Sequence, residues 1–445
     1  MPNSFYIHVN AQKCRSCVKC IRKCPTGAMR GTRGLSEIEI IEELCVGCGE
    51  CIRECPYRAI ELVQDDWETL KAREKLALAA GPAFHVQVGD CNRTGFITSA
   101  LKRIGFEDMM ESLSLAFDLS ALAVAKKIDS GKKKDSPLIS SYCPAVVRYI
   151  RMHHPELVDN IVDVDSPYET AAEYYLGDNP GSSVALVAQC PAVSNMKNSP
   201  VGRKKSNFSY VINIRQVIKG LLASREKIED LPPEIESGAR WFVWAADGGE
   251  SRHISAFSQK KINTMTVTGM ENISDLLNEV ELGRLTYIDF VEARACYKGC
   301  VGGISASESK YLSASRIANL KIDWNIPAKE RTKLEELYDE GIWRLSKRIE
   351  PMSKQAPLSD DISEALSRMK ELKNIQENLP ELDCGSCGRP SCRAMAEEVV
   401  CGRGEITDCI FKLKEKITLL SSEINELCKK TAQIGRSINK ENETA

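Results

Sequence analysis

The chain has 445 residues, 43% hydrophobic and 27% charged, with a formal net charge of −2 at pH 7. These are ordinary globular values, and the mixed, near-neutral charge gives no electrostatic case for nucleic acid or an anionic membrane as partner. No apolar run approaches the roughly 20 residues that span a bilayer, and Met1 to Asn10 lacks a basic start and an apolar signal core. The expectation is a soluble cytoplasmic protein of about two to four domains. Nineteen cysteines stand out. A chain this long needs no disulfide staples, and most of the thiols fall in C-x2-C clusters, which suit metal ligation.

Residues 1–62 carry an internal repeat. Cys14-x2-Cys17-x2-Cys20-x3-Cys24-Pro25 recurs as Cys45-x2-Cys48-x2-Cys51-x3-Cys55-Pro56, offset by 31 residues. Zinc knuckles would have no use for the fourth Cys-Pro in each run. The pattern is the spacing of a bacterial two-cluster ferredoxin, in which the fourth cysteine of each run reaches across to the other cubane. Cys14, Cys17, Cys20 and Cys55 are the expected ligands of one [4Fe–4S] cluster. Cys45, Cys48, Cys51 and Cys24 are those of the second.

Downstream, Asp65–Ala80 reads as a helix ended by Gly81-Pro82, and Phe84–Val88 alternates like a strand. Helices are expected over Ser99–Ile104 and Leu113–Ile128. The strand Leu138–Tyr142 runs into Cys143-Pro144, and Ala145–His153 looks helical. Ser183–Ala188 suits a buried parallel strand with Cys190 at its carboxyl end. Strand Phe208–Ile214, helix Arg215–Ser224, strand Asn263–Val267 and helix Ile273–Leu282 follow, and Tyr287–Glu292 leads into Cys296 and Cys300. Strands alternating with helices argue for α/β layers. Cys143, Cys190 and Cys296 each follow a strand, and ligands in open α/β sheets gather outside the carboxyl ends of strands. These distant thiols are therefore placed to converge.

Residues 326–380 read as a charged helical linker, with Ser359 as a cap and Asp360-Asp361 at a helix start. Cys384-x2-Cys387-x4-Cys392-x16-Cys409 is a further four-thiol set. Beyond it, Ile410, Leu413, Ile417, Leu420, Ile424 and Leu427 keep the 3,4 spacing of a coiled-coil seam. One amphipathic helix packed on its own domain, and a helix that dimerises or signals, are both open. Cys91, Cys401 and Cys428 lie outside the ligand sets and read as small buried hydrophobes.

The three central segments are Ser140-Ser-Tyr-Cys143-Pro144, Ala188-Gln-Cys190-Pro-Ala-Val193 and Glu292-Ala-Arg-Ala-Cys296-Tyr-Lys-Gly-Cys300-Val-Gly302-Gly303. They resemble, in order, the three signatures of the [FeFe]-hydrogenase catalytic domain, the third departing in spacing by one residue. The resemblance covers about 80–310. It implies a cubane held by Cys143, Cys190, Cys296 and Cys300, with Cys300 bridging to a diiron subsite. The inner residues differ. The family's proton-relaying Cys is Tyr142 here, the Lys that pairs with a cyanide is Val193, and two methionines are Ala188 and Arg294. A phenol, with its reference pKa near 10 against roughly 8.5 for a thiol, is a poorer relay, and Arg294 is a candidate to supply the missing positive charge. The Cys384 set resembles the four-cysteine module of electron-transfer complexes and of sensory [FeFe]-hydrogenases.

The resemblance implies an α/β catalytic-type domain with parallel-rich sheets at 83–325. Around it are expected a small α+β ferredoxin domain at 1–62 and a linker helix at 63–82. A helical linker at 326–380, a helical C-terminal Fe–S module at 381–410 and an amphipathic or coiled-coil helix with a frayed tail at 411–445 complete the chain. Two ferredoxin-type, one central and one C-terminal [4Fe–4S] cluster are expected, with a diiron subsite at the central one. The implied function is a slow or sensory hydrogenase acting through Cys300, Tyr142 and Arg294. The alternative is an electron-transfer protein or redox signalling scaffold that keeps only the cubane. A redox or signalling partner, or a second copy, is expected at the heptad helix.

Overall fold

A computed structural model describes residues 4–32, 37–88, 94–131, 136–225, 240–352 and 361–442. The chain divides into two compact units: 1–8, 46–53 and 60–354 form the first, and 9–45, 54–59 and 355–445 the second. Among the described residues no helix is long and apolar enough to cross a membrane.

The first unit is built on two small parallel sheets. In one, the strand Ser183–Ala188 lies between Leu76–Ala80 and Tyr210–Asn213, with Leu76 opposite Ser183 and Ala185 opposite Tyr210. In the other, Phe290–Arg294 lies between Leu138–Ile139 and Thr264–Thr268, with Phe290 opposite both Leu138 and Thr264. Leu76–Ala80 and Phe290–Arg294 are buried along their whole length, as strands covered on both faces must be. The helix Met110–Asp129 packs against the helices Pro167–Asp178 and Gly249–Phe257. Phe117, on the first of these, meets the rings of Tyr142, Tyr168, Trp241 and Trp244 within 6.0 Å, centroid to centroid.

Two sequence expectations fail near the first sheet. Asp65–Ala80 is a short helix, Trp67–Lys71, followed by the strand Leu76–Ala80. The alanine-rich run favours a helix by propensity, but pairing and two-sided burial decide. Phe84–Val88 is not a strand. Gly81-Pro82 starts a helix, Pro82–His85, rather than ending one, with proline in the first turn where its missing N–H costs nothing. The remaining expected elements of this unit are present with ends shifted by a few residues.

In the second unit, the strands Met29–Gly31 and Ile38–Ile40 pair antiparallel, with Met29 opposite Ile40. The C-terminal cysteine segment docks on this ferredoxin-like half. Gly31 N donates to Gly388 O at 2.8 Å, and Arg389 Nη1 donates to Gly31 O at 3.1 Å. Arg30 and Arg389 share the carboxylate of Glu398. Leu372, Leu379, Met395, Ala396 and Cys409 form a small core. The helix Ile362–Asn378 is capped by Asp361, whose carboxylate accepts from Glu364 N at 2.8 Å; Ser359 and Asp360 lie outside the described residues. The long helix Ile410–Asn442 leaves its heptad stripe exposed. Ile410 lines the cavity of the C-terminal cysteine set, and the stripe beyond it, from Leu413 to Leu427, stays exposed.

Candidate metal centre

Three segments of the first unit bring four thiols together. Cys143 precedes the ten-residue helix Pro144–His153, so the positive end of a helix dipole faces it. Cys190 stands two residues past the strand Ser183–Ala188, and Cys296 two past Phe290–Arg294. Cys300 rides on a tight turn, Gly299–Gly302. Gly299 has φ +78°, and a Cβ there would lie 2.8 Å from backbone atoms of Ala246 and Asp247. At Gly303 a Cβ would lie 2.6 Å from Gln189 O. Only glycine lets this turn close against the segment that carries Cys190.

The four thiols perturb one another. Burial, then Cys296, Cys143 and Cys300, pushes Cys190 well above the usual thiol range. Burial pushes Cys296 up to about 12 and Cys300 up to about 11, with Cys143 adding to both. Arg53 and Arg294 pull in the opposite direction on Cys296 and Cys300 respectively. Cys296 is buried and Cys143, Cys190 and Cys300 are half-buried, and four thiolates so crowded are stable only around a cationic centre, which deprotonates its ligands outright. The donor set therefore fits a cubane.

Beside Cys300 lies a buried ion network. Arg294 is 1% exposed, and its Nη2 donates to Glu250 Oε2 at 2.8 Å and its Nε to Glu292 Oε1 at 3.4 Å. Ser140 Oγ donates to Glu250 at 2.7 Å. Burial and the nearby Glu292 carboxylate raise Glu250 to about 7 in spite of Arg294. Glu292 also accepts from Gly248 N at 3.1 Å and Ser251 N at 2.9 Å. Asp247-Gly-Gly249 is thus a turn into a helix whose first N–H groups Glu292 satisfies. Arg294 Nη1 is buried with no hydrogen-bond partner, and its guanidinium lies 4.0 Å from the centroid of the Tyr142 ring. Tyr142 and Tyr168 are stacked at 21° with hydroxyls 3.5 Å apart, and Trp244 closes edge-on to Tyr142 at 5.0 Å. Burial pushes both phenols above their ordinary range, and Cys300 raises both further.

The residues about Cys300 differ from those the resemblance implies for a diiron subsite. The side chains gathered about that thiol are Tyr142, Tyr168, Gln189 and Arg294. All but Gln189's amide are large, and Arg294 is already committed to two carboxylates. Val193 and Ala188, at the positions of the family's Lys and one of its Met residues, are buried and apolar.

The other expected ligands fall into place unevenly. Burial raises the Cys20 thiol to about 11, and Cys14, Cys17 and Cys55 add to the rise, so this set is together. Ala28 N donates to Cys24 Sγ at 3.1 Å, and Ala59 N to Cys55 Sγ at 3.3 Å. Of the second ferredoxin set, Cys48 and Cys51 belong to the first unit and Cys24 and Cys45 to the second. Cys384, Cys387, Cys392 and Cys409 line one small cavity with Leu379 and Met395. Cys401 is half-buried and Cys428 is exposed, so Cys428 is not the buried hydrophobe expected; Cys91 lies outside the described residues.

Sequence reasoning missed Tyr168, Gln189, Glu250 and Arg53. Arg53 donates to Gly302 O at 2.9 Å, and Ala192 N donates to Gly47 O at 3.1 Å. Residues 46–53, with Cys48 and Cys51, are thereby held against the segments that carry Cys190 and Cys296. Only Glu292 and Arg294 carried a local signal, being two residues apart and so on one face of a strand.

Residues 13–59 match a family described as "4Fe-4S dicluster domain", and 379–411 one described as "Putative Fe-S cluster". Iron hydrogenase 1 of Clostridium pasteurianum is 23% identical over 291 residues, which are 53% of this chain and 50% of that protein. The chain thus spans about half the length of this curated relative. Among solved structures, a variant of the [FeFe]-hydrogenase HydA1 from Chlamydomonas reinhardtii is 16% identical, with a TM-score of 0.43 over 62% of this chain and 91% of that one. An [FeFe]-hydrogenase structure concerned with oxygen inactivation has a TM-score of 0.44 at 16% identity, over 63% and 92% of the two chains. Residues 74–236 and 243–304, just over half of the chain, match the iron only hydrogenase large subunit, C-terminal domain, and the protein belongs to that family.

Proposed function

We propose that this protein transfers electrons through a central cubane held by Cys143, Cys190, Cys296 and Cys300, without a diiron subsite. The observation that carries the reading is the filling of the space around Cys300 by Tyr142, Tyr168 and the ion-paired Arg294. Bound there, the cubane would supply one-electron transfer. The chain's own residues would tune it. The amino end of the helix Pro144–His153 and the guanidinium groups of Arg53 and Arg294 favour a more negative, reduced centre. The rings of Phe117, Trp241 and Trp244 exclude water. Two ferredoxin-type clusters and a C-terminal cluster would serve as entry and exit. The contacts of Gly47 and Arg53 support the second cysteine run as the neighbour of the central site. The docking of Gly388 and Arg389 on Gly31 supports the C-terminal cluster as a second port on the ferredoxin half.

A slow or sensory hydrogenase is the second reading. The unpartnered Arg294 Nη1 favours it, because an anionic ligand beside Cys300 would give that N–H a partner. Hydrogen uptake and evolution, assayed after co-expression with the diiron maturation enzymes, separate the two. Electron transfer alone gives none; turnover above that of a Cys300→Ser control overturns it.

A further inference from the structure

The helix Ile410–Asn442 is 33 residues long, about 50 Å at 1.5 Å per residue. Its a positions are Ile410, Ile417 and Ile424, and its d positions Leu413, Leu420 and Leu427. All six are 43–62% exposed. The pattern continues in the sequence through Thr431, Ile434 and Ile438. A free-standing helix with this stripe is exceptional, since soluble monomers rarely leave apolar patches above a few hundred Å² uncovered.

We propose that this helix pairs in parallel and in register with the same helix of a second copy of the chain. Three observations select that occupant. Isoleucine at a with leucine at d is the combination that favours two parallel strands, whereas isoleucine at both positions favours three or four. The six described side chains, each about half exposed, present on the order of 500 Å² per helix, so a pair reaches the roughly 1,000 Å² a specific interface needs. Charge does not oppose the pairing. In a parallel dimer each g residue faces the e residue five positions on. Lys416 then faces Ser421, Glu423 faces Cys428 and Lys430 faces Gly435, with no like charges opposed.

The helix begins one residue after Cys409, which is buried with Leu372 and Met395. A parallel pair therefore brings both copies of the C-terminal cysteine site to the same end of the coil. The dimer would join two four-thiol sites side by side, whether or not the central site carries more than a cubane.

Sedimentation equilibrium of the full chain, cluster-loaded and anaerobic, tests this. The expected species is a dimer that dissociates on dilution. Leu420→Glu with Leu427→Glu should give a monomer with unchanged iron content, because both side chains are solvent-exposed and outside every cysteine site. A monomeric wild type, a higher oligomer, or a dimer that survives the double substitution would overturn the proposal. A second test reads orientation. In a Cys428→Ser background, Leu427→Cys should cross-link between copies with a short bismaleimide. A dimer that fails to cross-link there would overturn parallel pairing.

Discussion

Replacing Arg294 by Met removes the only guanidinium ion-paired with both Glu250 and Glu292 among the described residues. Both carboxylates are 2% exposed or less. Breaking a buried pair by deleting one partner costs about 3–5 kcal/mol, because the other charge is left unpaired in a dry site. The loss should depend on pH in a definite direction. Glu250 already sits at about 7, raised by burial and by Glu292 against the pull of Arg294. Without Arg294 it rises further, so the folded state holds a proton that the unfolded state has released. Stability then falls as pH rises through and above the ordinary carboxylate range. Denaturant unfolding of the loaded protein, followed by tryptophan fluorescence at pH 5.5 and pH 8, should show the larger deficit at pH 8. The double variant Glu250→Gln, Arg294→Met should recover part of the loss. A deficit below about 1 kcal/mol at pH 8, or one that does not change with pH, would refute the ion network as described.

Tyr142→Cys should leave hydrogen turnover at background, because a restored relay thiol has no diiron subsite to serve; a rise in turnover would mean that the relay was the missing part. Cys190→Ser should remove one cubane's worth of iron while the ferredoxin signals in electron paramagnetic resonance persist. His85, buried with its Nε2 3.0 Å from Ala80 O, is pushed down to about 4 by burial. As pH falls from 6.5 to 5 the unfolded chain takes up a proton that folded His85 refuses, costing about 2 kcal/mol. His85→Gln should remove that part of the acid sensitivity, read as the difference in unfolding midpoint between pH 7 and pH 5.

The cysteine sets stand out in the sequence because the ligands of a cluster must keep residue type and spacing. The runs at Cys14 and Cys45 and the set at Cys384 could be read as strings, and three of the central thiols could be placed by the strands before them. Leu76–Ala80 was misread because alanine and leucine are strong helix formers, and nothing local signals that neighbouring strands will cover both faces. Phe84–Val88 was misread because five residues of alternation outweighed a proline at a helix start. Tyr168, Gln189, Glu250 and Arg53 were invisible for a different reason. Each reaches the Cys300 neighbourhood from a separate segment, so only the fold reveals that they share it. The substitutions Tyr142, Val193 and Arg294 were legible one by one. That Tyr142 stacks on Tyr168 and lies under Arg294, so that the three fill one space, was not.

Infrared spectroscopy of the protein co-expressed with the diiron maturation enzymes is the most direct test of a central cubane without a diiron subsite. No carbonyl or cyanide bands are expected from a sample whose iron content shows the central cubane loaded. Such bands, lost on Cys300→Ser, would show a diiron unit bound beside Tyr142 and Arg294 and would contradict the assignment.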